Sequence, residues 1–227
     1  GPGAIGGLIN FISKTPGDTP SVIVTLNQTS LMESNINSFI SKKNGKTGIT
    51  LFGGANIKQA FDINKDGFAE VPEDKNFIFH PRFFYTSNKK LSIDAGLSLS
   101  ADNKRGGDMT ALKFDTDSIH TFLFTEKMLR TSADMHLNYN LNQSSSLHFK
   151  SSAGYFNRNL NYSGFRFNAT QFSGYQEFNY LFKNEKHTFN AGINETEESF
   201  IKGTSDTVLI KNYDYSTTGI FMQEDFQ

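Results

Sequence analysis

The sequence predicts an all-β fold of about ten antiparallel strands that forms part of a transmembrane β-barrel. Apolar and polar residues alternate through almost every segment, as they do in strands with one apolar and one polar face. Aromatic residues make up 14% of the chain and include 23 Phe, although the hydrophobic fraction is only 37%. We therefore expect the aromatic residues to cover an outer surface rather than to fill an enclosed core.

The clearest alternation lies in residues 91–100, where leucine, isoleucine and alanine at odd positions alternate with serine, aspartate and glycine at even ones. Residues 129–141 repeat the pattern over a length that exceeds most soluble strands. Pro81 interrupts the strand predicted at 77–87, so we expect that strand to begin at Arg82 or to carry a bulge. The remaining strands are predicted at residues 22–31, 35–42, 48–59, 147–158, 171–182, 187–200 and 215–226. No helix is predicted.

The connections between these strands are of two kinds that alternate along the chain. The short kind consists of polar turns at residues 43–46, 88–90, 142–145 and 183–186. The longer kind lies at residues 60–76, 101–127 and 203–214, with shorter links at 32–34 and 159–170. This arrangement is typical of outer-membrane barrels and disfavours the alternative, a soluble β-sandwich or propeller. Aromatic residues near the short turns predict an interfacial girdle of Phe39, Tyr85, Tyr139, Tyr180 and Phe182.

Charge and cysteine content exclude several classes of function. The formal net charge is -1 and the pI is about 6.6, so the composition gives no reason to expect a nucleic-acid partner. The chain has no cysteine, which excludes a disulfide framework, a thiolate metal site and a cysteine nucleophile. No apolar run approaches the roughly 18 residues that a transmembrane helix needs, whereas barrel strands are much shorter.

The first sixteen residues, GPGAIGGLINFISKTP, combine closely spaced glycines, an apolar run and a proline. Gly1, Gly3 and Gly6 match the dinucleotide-binding pattern G-x-G-x-x-G, but that pattern needs a strand before it and a helix after it. Here the glycines precede the apolar residues 8–12, LINFI, which favour a short strand that Pro16 stops. We therefore expect a glycine turn and a strand rather than a nucleotide site.

Residues 3–16, GAIGGLINFISKTP, resemble the end of the plug domain in TonB-dependent outer-membrane receptors. Residues 218–225, TGIFMQED, are similar to a barrel strand that recurs in that family. The resemblance implies a plug end at residues 1–16 and a barrel segment at residues 17–227, which would hold roughly ten of the family's about 22 strands. The family's energy-coupling motif, its plug body and its final strand do not occur in this sequence.

The resemblance implies energy-coupled import of a scarce nutrient, such as a siderophore, haem or cobalamin, across the outer membrane of a Gram-negative bacterium. It implies three partners: outer-membrane lipid, a periplasm-spanning TonB-type coupling protein and a small nutrient chelate. It implies neither enzymatic activity nor a nucleic-acid partner. Two alternatives stay open, namely a passive porin or surface adhesin barrel, and an outer-membrane barrel hydrolase.

Charged residues on the polar faces of the predicted strands are candidates for the lumen wall. These candidates are Asp94, Arg130, Asp134, His136, Lys150 and Arg158. Ser132, Asp134 and His136 have the residue types of a catalytic triad, but neighbours at i and i+2 of one strand stand roughly 7 Å apart, beyond hydrogen-bond reach. We interpret all three as part of a polar lumen and predict no catalytic residue.

The connection at residues 60–76 contains the oxygen-ligand spacing of a calcium-binding loop. The candidate metal ligands at positions 1, 3, 5, 7, 9 and 12 are Asp62, Asn64, Asp66, the carbonyl of Phe68, Glu70 and Glu73. A hard cation requires many oxygen ligands, and Gly67 at position 6 allows the sharp turn that brings them together. Because strands rather than helices flank the loop, a polar turn without an ion is the alternative. We predict Ca²⁺ here and no other cofactor.

Overall fold

A computed structural model describes residues 14–87, 90–205 and 209–226 of the chain. Ten strands form one antiparallel sheet in which each strand pairs with the next along the chain. The strands are β1 Ser21–Gln28, β2 Glu33–Asn44, β3 Thr47–Lys58, β4 Glu73–Ser87, β5 Leu91–Gly107, β6 Leu123–Asn140, β7 Ser145–Tyr162, β8 Phe165–Lys183, β9 His187–Ser205 and β10 Tyr213–Phe226. The all-β fold and its ten strands are confirmed. The strand predicted at residues 8–12 lies outside the described residues.

The ladder divides the sheet into two faces, because directly paired residues project on the same side. Asp94 on β5 pairs with His136 on β6, His136 with Lys150 on β7, and Lys150 with Glu177 on β8. We call the face that carries these residues the polar face. The alternate residues, such as Leu97 on β5, project from the other side, which we call the apolar face.

The apolar face is exposed rather than packed into a core. Among the described residues, the buried hydrophobic side chains are those of Ala111 and Ala169 alone. Val22, Leu97 and Ile220 on the apolar face are 68%, 57% and 86% exposed. A continuous apolar surface of this kind requires a cover, which a lipid bilayer provides in barrel proteins.

The apolar band on this face runs obliquely across the ladder. On β5 it extends over residues 91–101, whereas on β9 it covers only residues 187–193 and ends before Glu195. Glu195 lies in the same ladder row as Met135, which is three strands away and still within the band. A band of constant membrane depth crosses the ladder obliquely when the strands are tilted against the membrane normal, as barrel strands are.

Strands β5 to β9 extend further toward the long connections than the sequence predicts. The link expected at residues 159–170 is wrong, because β7 and β8 meet in a turn of two residues, Ser163 and Gly164. Both have positive φ, 41° and 88°, as a type I′ hairpin turn requires. The alternation fades here because residues such as Asn157 and Asn159 make the apolar side polar, while the backbone pairing continues.

Pro81 lies inside β4 rather than at its start, so the expected later start or bulge is wrong. It pairs with Leu51 of β3. The ladder from β4 to β5 is interrupted at His80 and Pro81 and resumes in the same register where Arg82 pairs with Gly96. Proline has no amide hydrogen, so the strand tolerates it as a local gap in one ladder.

Four of the five aromatic residues predicted for the girdle project from the apolar face near the short turns: Tyr85, Tyr139, Tyr180 and Phe182. Phe39 instead projects from the polar face, because it pairs with Phe52 in a row that continues to His80. Its proximity to a turn in the sequence did not reveal its side of the sheet.

We expect Leu97→Arg to lower the free energy of unfolding by about 2 to 4 kcal/mol, because it places a charge on the lipid side of the band. The neighbouring change Ser98→Arg serves as the control and should cost little, since Ser98 projects from the polar face. Urea unfolding of the protein in lipid vesicles measures both. Equal losses for the two variants would contradict the assignment of the faces.

Candidate functional site

All six charged residues that the sequence singles out lie on the polar face. They are Asp94, Arg130, Asp134, His136, Lys150 and Arg158. Asp94, His136 and Lys150 are direct neighbours in one row, and the other three occupy alternate positions of β6 and β7 on the same side. A role in the passage of a substrate stays a prediction for each of them.

Arg82, which the sequence analysis did not select, lies at the centre of the charged part of this face. Its Nε and Nη2 donate to Oδ1 of Asp94 at 3.0 and 2.7 Å. Its Nη1 and Nη2 donate to Oδ1 and Oδ2 of Asp134 at 3.1 and 2.6 Å. The Arg82 side chain is only 9% exposed. One guanidinium therefore connects β4 to β5 and, beyond it, to β6.

Gly96 leaves the space that this bridge requires. It pairs with Arg82 on one side and with Asp134 on the other. A Cβ at this position would lie 2.7 Å from Nη1 of Arg82 and 2.9 Å from Oδ1 of Asp134. Any side chain here would displace the guanidinium, so the glycine serves a close approach rather than a turn.

Two further ion pairs order the polar face nearby. Lys150 Nζ donates to Oε1 of Glu177 at 2.8 Å, and the hydroxyl of Tyr175 donates to Oε2 of the same carboxylate at 2.5 Å. Arg158 Nε donates to Oε1 of Glu126 at 2.6 Å. These side chains are held by partners on neighbouring strands, so the face presents fixed charges rather than freely moving ones.

Ser132, Asp134 and His136 do not form a catalytic triad in this arrangement. Both carboxylate oxygens of Asp134 accept hydrogen bonds from Arg82 instead of orienting an imidazole. Ser132 pairs across the ladder with Gly154. The arrangement fits the interpretation of these residues as part of a polar wall.

The connection between β3 and β4 brings three of the predicted calcium ligands together. One carboxylate oxygen from each of Asp62, Asp66 and Glu70 lies within 4.8 Å of the others. Glu73 does not join them, because it begins β4 and pairs with Lys75 at 2.7 Å. The structure therefore assembles part of the predicted ligand set.

Hydrogen bonds to the backbone hold the loop in this shape. Oδ1 and Oδ2 of Asp62 accept from the amides of Lys65 and Gly67 at 2.6 and 2.8 Å. Oδ1 of Asn64 accepts from the amide of Asp66 at 2.9 Å, and its Nδ2 donates to Oδ2 of Asp66 at 3.0 Å. A polar turn without an ion forms the same bonds, so the calcium site stays a prediction.

The connection between β5 and β6 contains one helix, α1 Met109–Phe114, where no helix was predicted. Asp108 caps it, because its Oδ1 accepts from the amides of Thr110 and Ala111 at 2.7 and 3.3 Å. Oδ2 of Asp108 lies 2.7 Å from Nδ1 of His120, and this hydrogen bond lowers the pKa of Asp108 and raises that of His120. No helix of the described residues is both long enough and apolar enough to cross a membrane.

This connection docks on the candidate calcium loop. Backbone hydrogen bonds of 2.9 Å join Met109 to Gly67 and Ala69 to Gly107. Phe68, the predicted carbonyl ligand, forms a β-bridge with Asp108. Two long connections therefore form one continuous structure at this end of the sheet.

An aromatic cluster extends this structure to a third connection. The ring of Phe122 lies 6.1 Å from that of Phe68 and 5.2 Å from that of Tyr162, which ends β7. Contacts of this kind stabilise the arrangement beyond the area they bury. The long-connection end of the sheet is thus ordered by packing as well as by hydrogen bonds.

The chain approaches β1 across the polar face. Pro16 is buried and lies against Gly48 of β3, where a Cβ would collide with its ring. Gly48 pairs with Phe84, which in turn pairs with Asp94 of the polar face. Pro16 therefore lies on the polar side of the sheet.

No family profile matches the chain, and no curated protein sequence is similar to it. Among solved structures, the chain is similar to the ferric-catecholate import receptor Fiu from K12 E. coli in its closed form, with a TM-score of 0.69 at 9% identity over 91% of this chain and 35% of that chain. The copper transporter OprC gives a TM-score of 0.61 at 10% identity, over 85% of this chain and 34% of that chain. The RagAB peptide transporter gives a TM-score of 0.53 at 11% identity, over 85% of this chain and 29% of that chain.

The chain thus spans about a third of the length of these structures. At such low identities the likeness is one of fold. Together with the ten antiparallel strands and their two faces, it shows that the chain has the fold of an outer-membrane β-barrel segment.

We expect Arg82→Gln to lower the free energy of unfolding by about 1 to 3 kcal/mol, because Asp94 and Asp134 lose their shared counter-charge. Adding Asp134→Asn to this variant should restore part of the loss, since it removes one unpaired carboxylate. Urea unfolding in lipid vesicles measures the free energy of unfolding of the parent, the single variant and the double variant. The control Lys127→Gln, at an exposed position of β6, should stay within about 0.5 kcal/mol of the parent; an equal effect of Arg82→Gln would contradict the bridging role.

For the calcium loop we expect heat of binding when Ca²⁺ is added to the protein, with an affinity of about 0.1 to 1 mM as in extracellular modules. The double variant Asp62→Ala, Asp66→Ala should lose that heat, because it removes two of the three clustered carboxylates. Glu185→Ala, in a turn at the opposite end of the sheet, is the control. Equal heats from parent and double variant, or none from either, would show that the loop is a polar turn only.

The Asp108–His120 pair predicts a pH window for the order of α1. Because the pKa of His120 is raised, its part of the stabilisation of α1 is complete below the unfolded pKa of 6.5 and is lost as the pH rises through the raised pKa. Because the pKa of Asp108 is lowered, its part of the stabilisation is complete above the unfolded pKa of 3.8 and is lost as the pH falls through the lowered pKa. Amide hydrogen exchange at Thr110 and Ala111, corrected for intrinsic rates, should show the best protection between these limits. His120→Gln should abolish the alkaline limb, and an unchanged limb would refute the pairing.

Proposed function

We propose that the chain is a wall segment of an outer-membrane receptor that imports a scarce nutrient, such as a siderophore, haem or cobalamin, by energy-coupled transport. The observation that carries the proposal is the division of a ten-stranded sheet into an exposed apolar face and a charged polar face. The similar folds of an import receptor and of two transporters support it. Transport needs no bond to be made or broken.

The proposal places the protein in the outer membrane of a Gram-negative bacterium, with lipid against the apolar face. In the described sheet β1 and β10 each pair with one neighbour. Unpaired backbone groups in lipid cost several kcal/mol each, so we propose that further strands close the barrel. The polar face then lines a lumen that contains water.

The proposal assigns residues 1–16 to the end of a plug that fills this lumen. Support comes from the resemblance of residues 3–16 and from Pro16, which lies against Gly48 on the polar face. A plug at this place would be moved by a periplasm-spanning TonB-type coupling protein. A small nutrient chelate would meet the docked outer connections first and then the charged wall around Arg82.

A passive porin or adhesin barrel is the main alternative, and the geometry of the strands fits it equally. The resemblance of residues 3–16 to a plug end favours the receptor, because a porin has no plug. For the hydrolase alternative, the occupation of Asp134 by Arg82 removes the expected partner of an activating histidine.

The experiment that tests the proposal is uptake of ferric catecholate, haem and cobalamin by cells of the source bacterium. Four strains are compared: parent, deletion of the gene for this protein, deletion of the coupling protein, and both deletions. The proposal predicts that one of the three nutrients enters only when both proteins are present.

Uptake that needs this protein but not the coupling protein would overturn the proposal in favour of a porin. Labelling of Ser132 by a serine-reactive probe would favour the hydrolase. Uptake of all three nutrients at parental rates in every strain would remove import of these nutrients as the function.

A further inference from the structure

At the long-connection end of the polar face, aromatic and polar residues form one row of the ladder across five strands. Arg130 pairs with Phe156, Phe156 with Gln171, Gln171 with Phe200, and Phe200 with Tyr213. Three of these five side chains are aromatic, although the face as a whole is polar. The row therefore differs from the charged wall around Arg82.

The next row toward the turns consists of small residues that lead to a carboxylate. Ser132, Gly154 and Ser173 are followed by Glu198, which pairs with Tyr215. A Cβ on Gly154 would lie 2.6 Å from Oγ of Ser173. Because Gly154 has no side chain, the surface of the polar face is recessed at this position. Small residues beside large rings produce a concave surface.

The two rows border a depression of about 320 Å³. Its lining on the polar face consists of Arg130, Ser132, Gly154, Phe156, Gln171 and Ser173. Arg130 stands at one end, and Ser173, the direct neighbour of Glu198, at the other. The volume is in the range of sites that hold small ligands.

Arg130 at one end of the depression and Glu198, which adjoins Ser173 at the other end, carry opposite charges that are already positioned. Cζ of Arg130 lies 5.0 Å from the ring centroid of Phe156, a cation–π contact that orients the guanidinium. The Glu198 carboxylate accepts hydrogen bonds from two tyrosine hydroxyls, that of Tyr213 at Oε1 and that of Tyr215 at Oε2, the latter at 3.0 Å. Preorganised groups lose less entropy when a ligand binds.

The rings beside Glu198 form a stack that leaves apolar surface open. Phe200 and Tyr213 are parallel within 10° with centroids 5.4 Å apart, and Tyr213 and Tyr215 are parallel within 18° at 6.2 Å. Tyr213 and Tyr215 are 41% and 46% exposed. The hydroxyls are engaged by Glu198, so the ring surfaces are what a ligand meets.

We propose that this depression and the adjoining Glu198 bind short peptides of three or four residues. Arg130 and Glu198 are three strand spacings and one row apart, roughly 16 Å between backbone positions, and an extended peptide covers about 3.3 Å per residue. The peptide α-carboxylate binds the Arg130 guanidinium and the α-ammonium binds Glu198. Ser132 and Ser173 offer hydroxyls to the peptide backbone, and the rings pack against its side chains.

The charge pattern favours a ligand with one charge of each sign. An anion alone would use Arg130 and leave Glu198 without a counter-charge, and a cation alone would use Glu198 and leave Arg130 without one. A neutral sugar would use the rings and hydroxyls but would supply no counter-charge to Arg130 or Glu198. The proposal adds a ligand class to the proposed function and rests on it only for the access of water to the polar face.

Isothermal titration calorimetry of the complete protein that contains this chain tests the proposal. The probes are the tetrapeptide AFFA, its N-acetylated form and its C-amidated form. Loss of one charge-assisted contact should weaken binding about ten- to a hundredfold, so each capped peptide should bind that much more weakly than the free one.

Two variants connect each peptide end to its residue. Glu198→Gln should weaken the free peptide but leave the acetylated one unchanged, and Arg130→Gln should weaken the free peptide but leave the amidated one unchanged. Glu197→Gln and Lys127→Gln, on the apolar side of the same strands, are the matched controls and should change nothing.

The proposal is overturned if none of the three peptides binds, if capped and free peptides bind equally, or if a variant weakens all three peptides alike. The measurement detects binding to purified protein, so it is separate from the uptake experiment. A failure of coupled import would leave these affinities unchanged, and a failure here would leave the import proposal standing.

Discussion

A continuous antiparallel ladder is the constraint on which the rest of this structure depends. Each strand pairs with the next without a crossover, so the register fixes the side on which every residue projects. A shift of the pairing by one residue would exchange the two faces. Asp94 and Arg82 would then project from the apolar side, and Leu97 and Pro81 from the polar side. The hydrogen-bonded backbone therefore determines both the apolar surface and the charged wall.

The polar face uses this register to build bridges between strands. Arg82, Gly96 and Asp134 occupy one row, and the absence of a side chain at Gly96 lets the guanidinium reach two strands away. Hydrogen bonds to charged groups contribute more than neutral ones, so such bridges stiffen the wall near the gap that Pro81 leaves. The long connections are stiffened separately, through the ring of Phe122 and the cap at Asp108. The charged wall and the long-connection end of the sheet are therefore both ordered by side-chain contacts.

The period-two alternation was sufficient to predict the ten strands, because one face must be apolar wherever lipid covers it. It failed where the apolar band ends: Asn157 and Asn159 continue the ladder of β7 without any apolar signal. The bridging role of Arg82 was missed because it depends on the pairing of Arg82 with Gly96 in the next strand. The sequence of one strand does not reveal which residue of the next strand it pairs with. The same holds for Glu198 and Phe200, whose place beside Gln171 and Tyr213 depends on pairing between distant segments. For the calcium loop, spacing located Asp62 and Asp66 correctly in one cluster, but the start of β4 placed Glu73 elsewhere.

The measurement that tests the central claim most directly is cysteine labelling of the protein in intact outer membranes. The chain has no native cysteine, so each introduced thiol is the only one in it. Single cysteines at Leu97 and Leu137 report the apolar face, and those at Ser98 and Asn138 report the polar face. With a water-soluble thiol reagent, the account predicts rapid labelling at Ser98 and Asn138 and little at Leu97 and Leu137. Equal labelling at all four positions would show that the apolar face is not covered by lipid and would contradict the barrel.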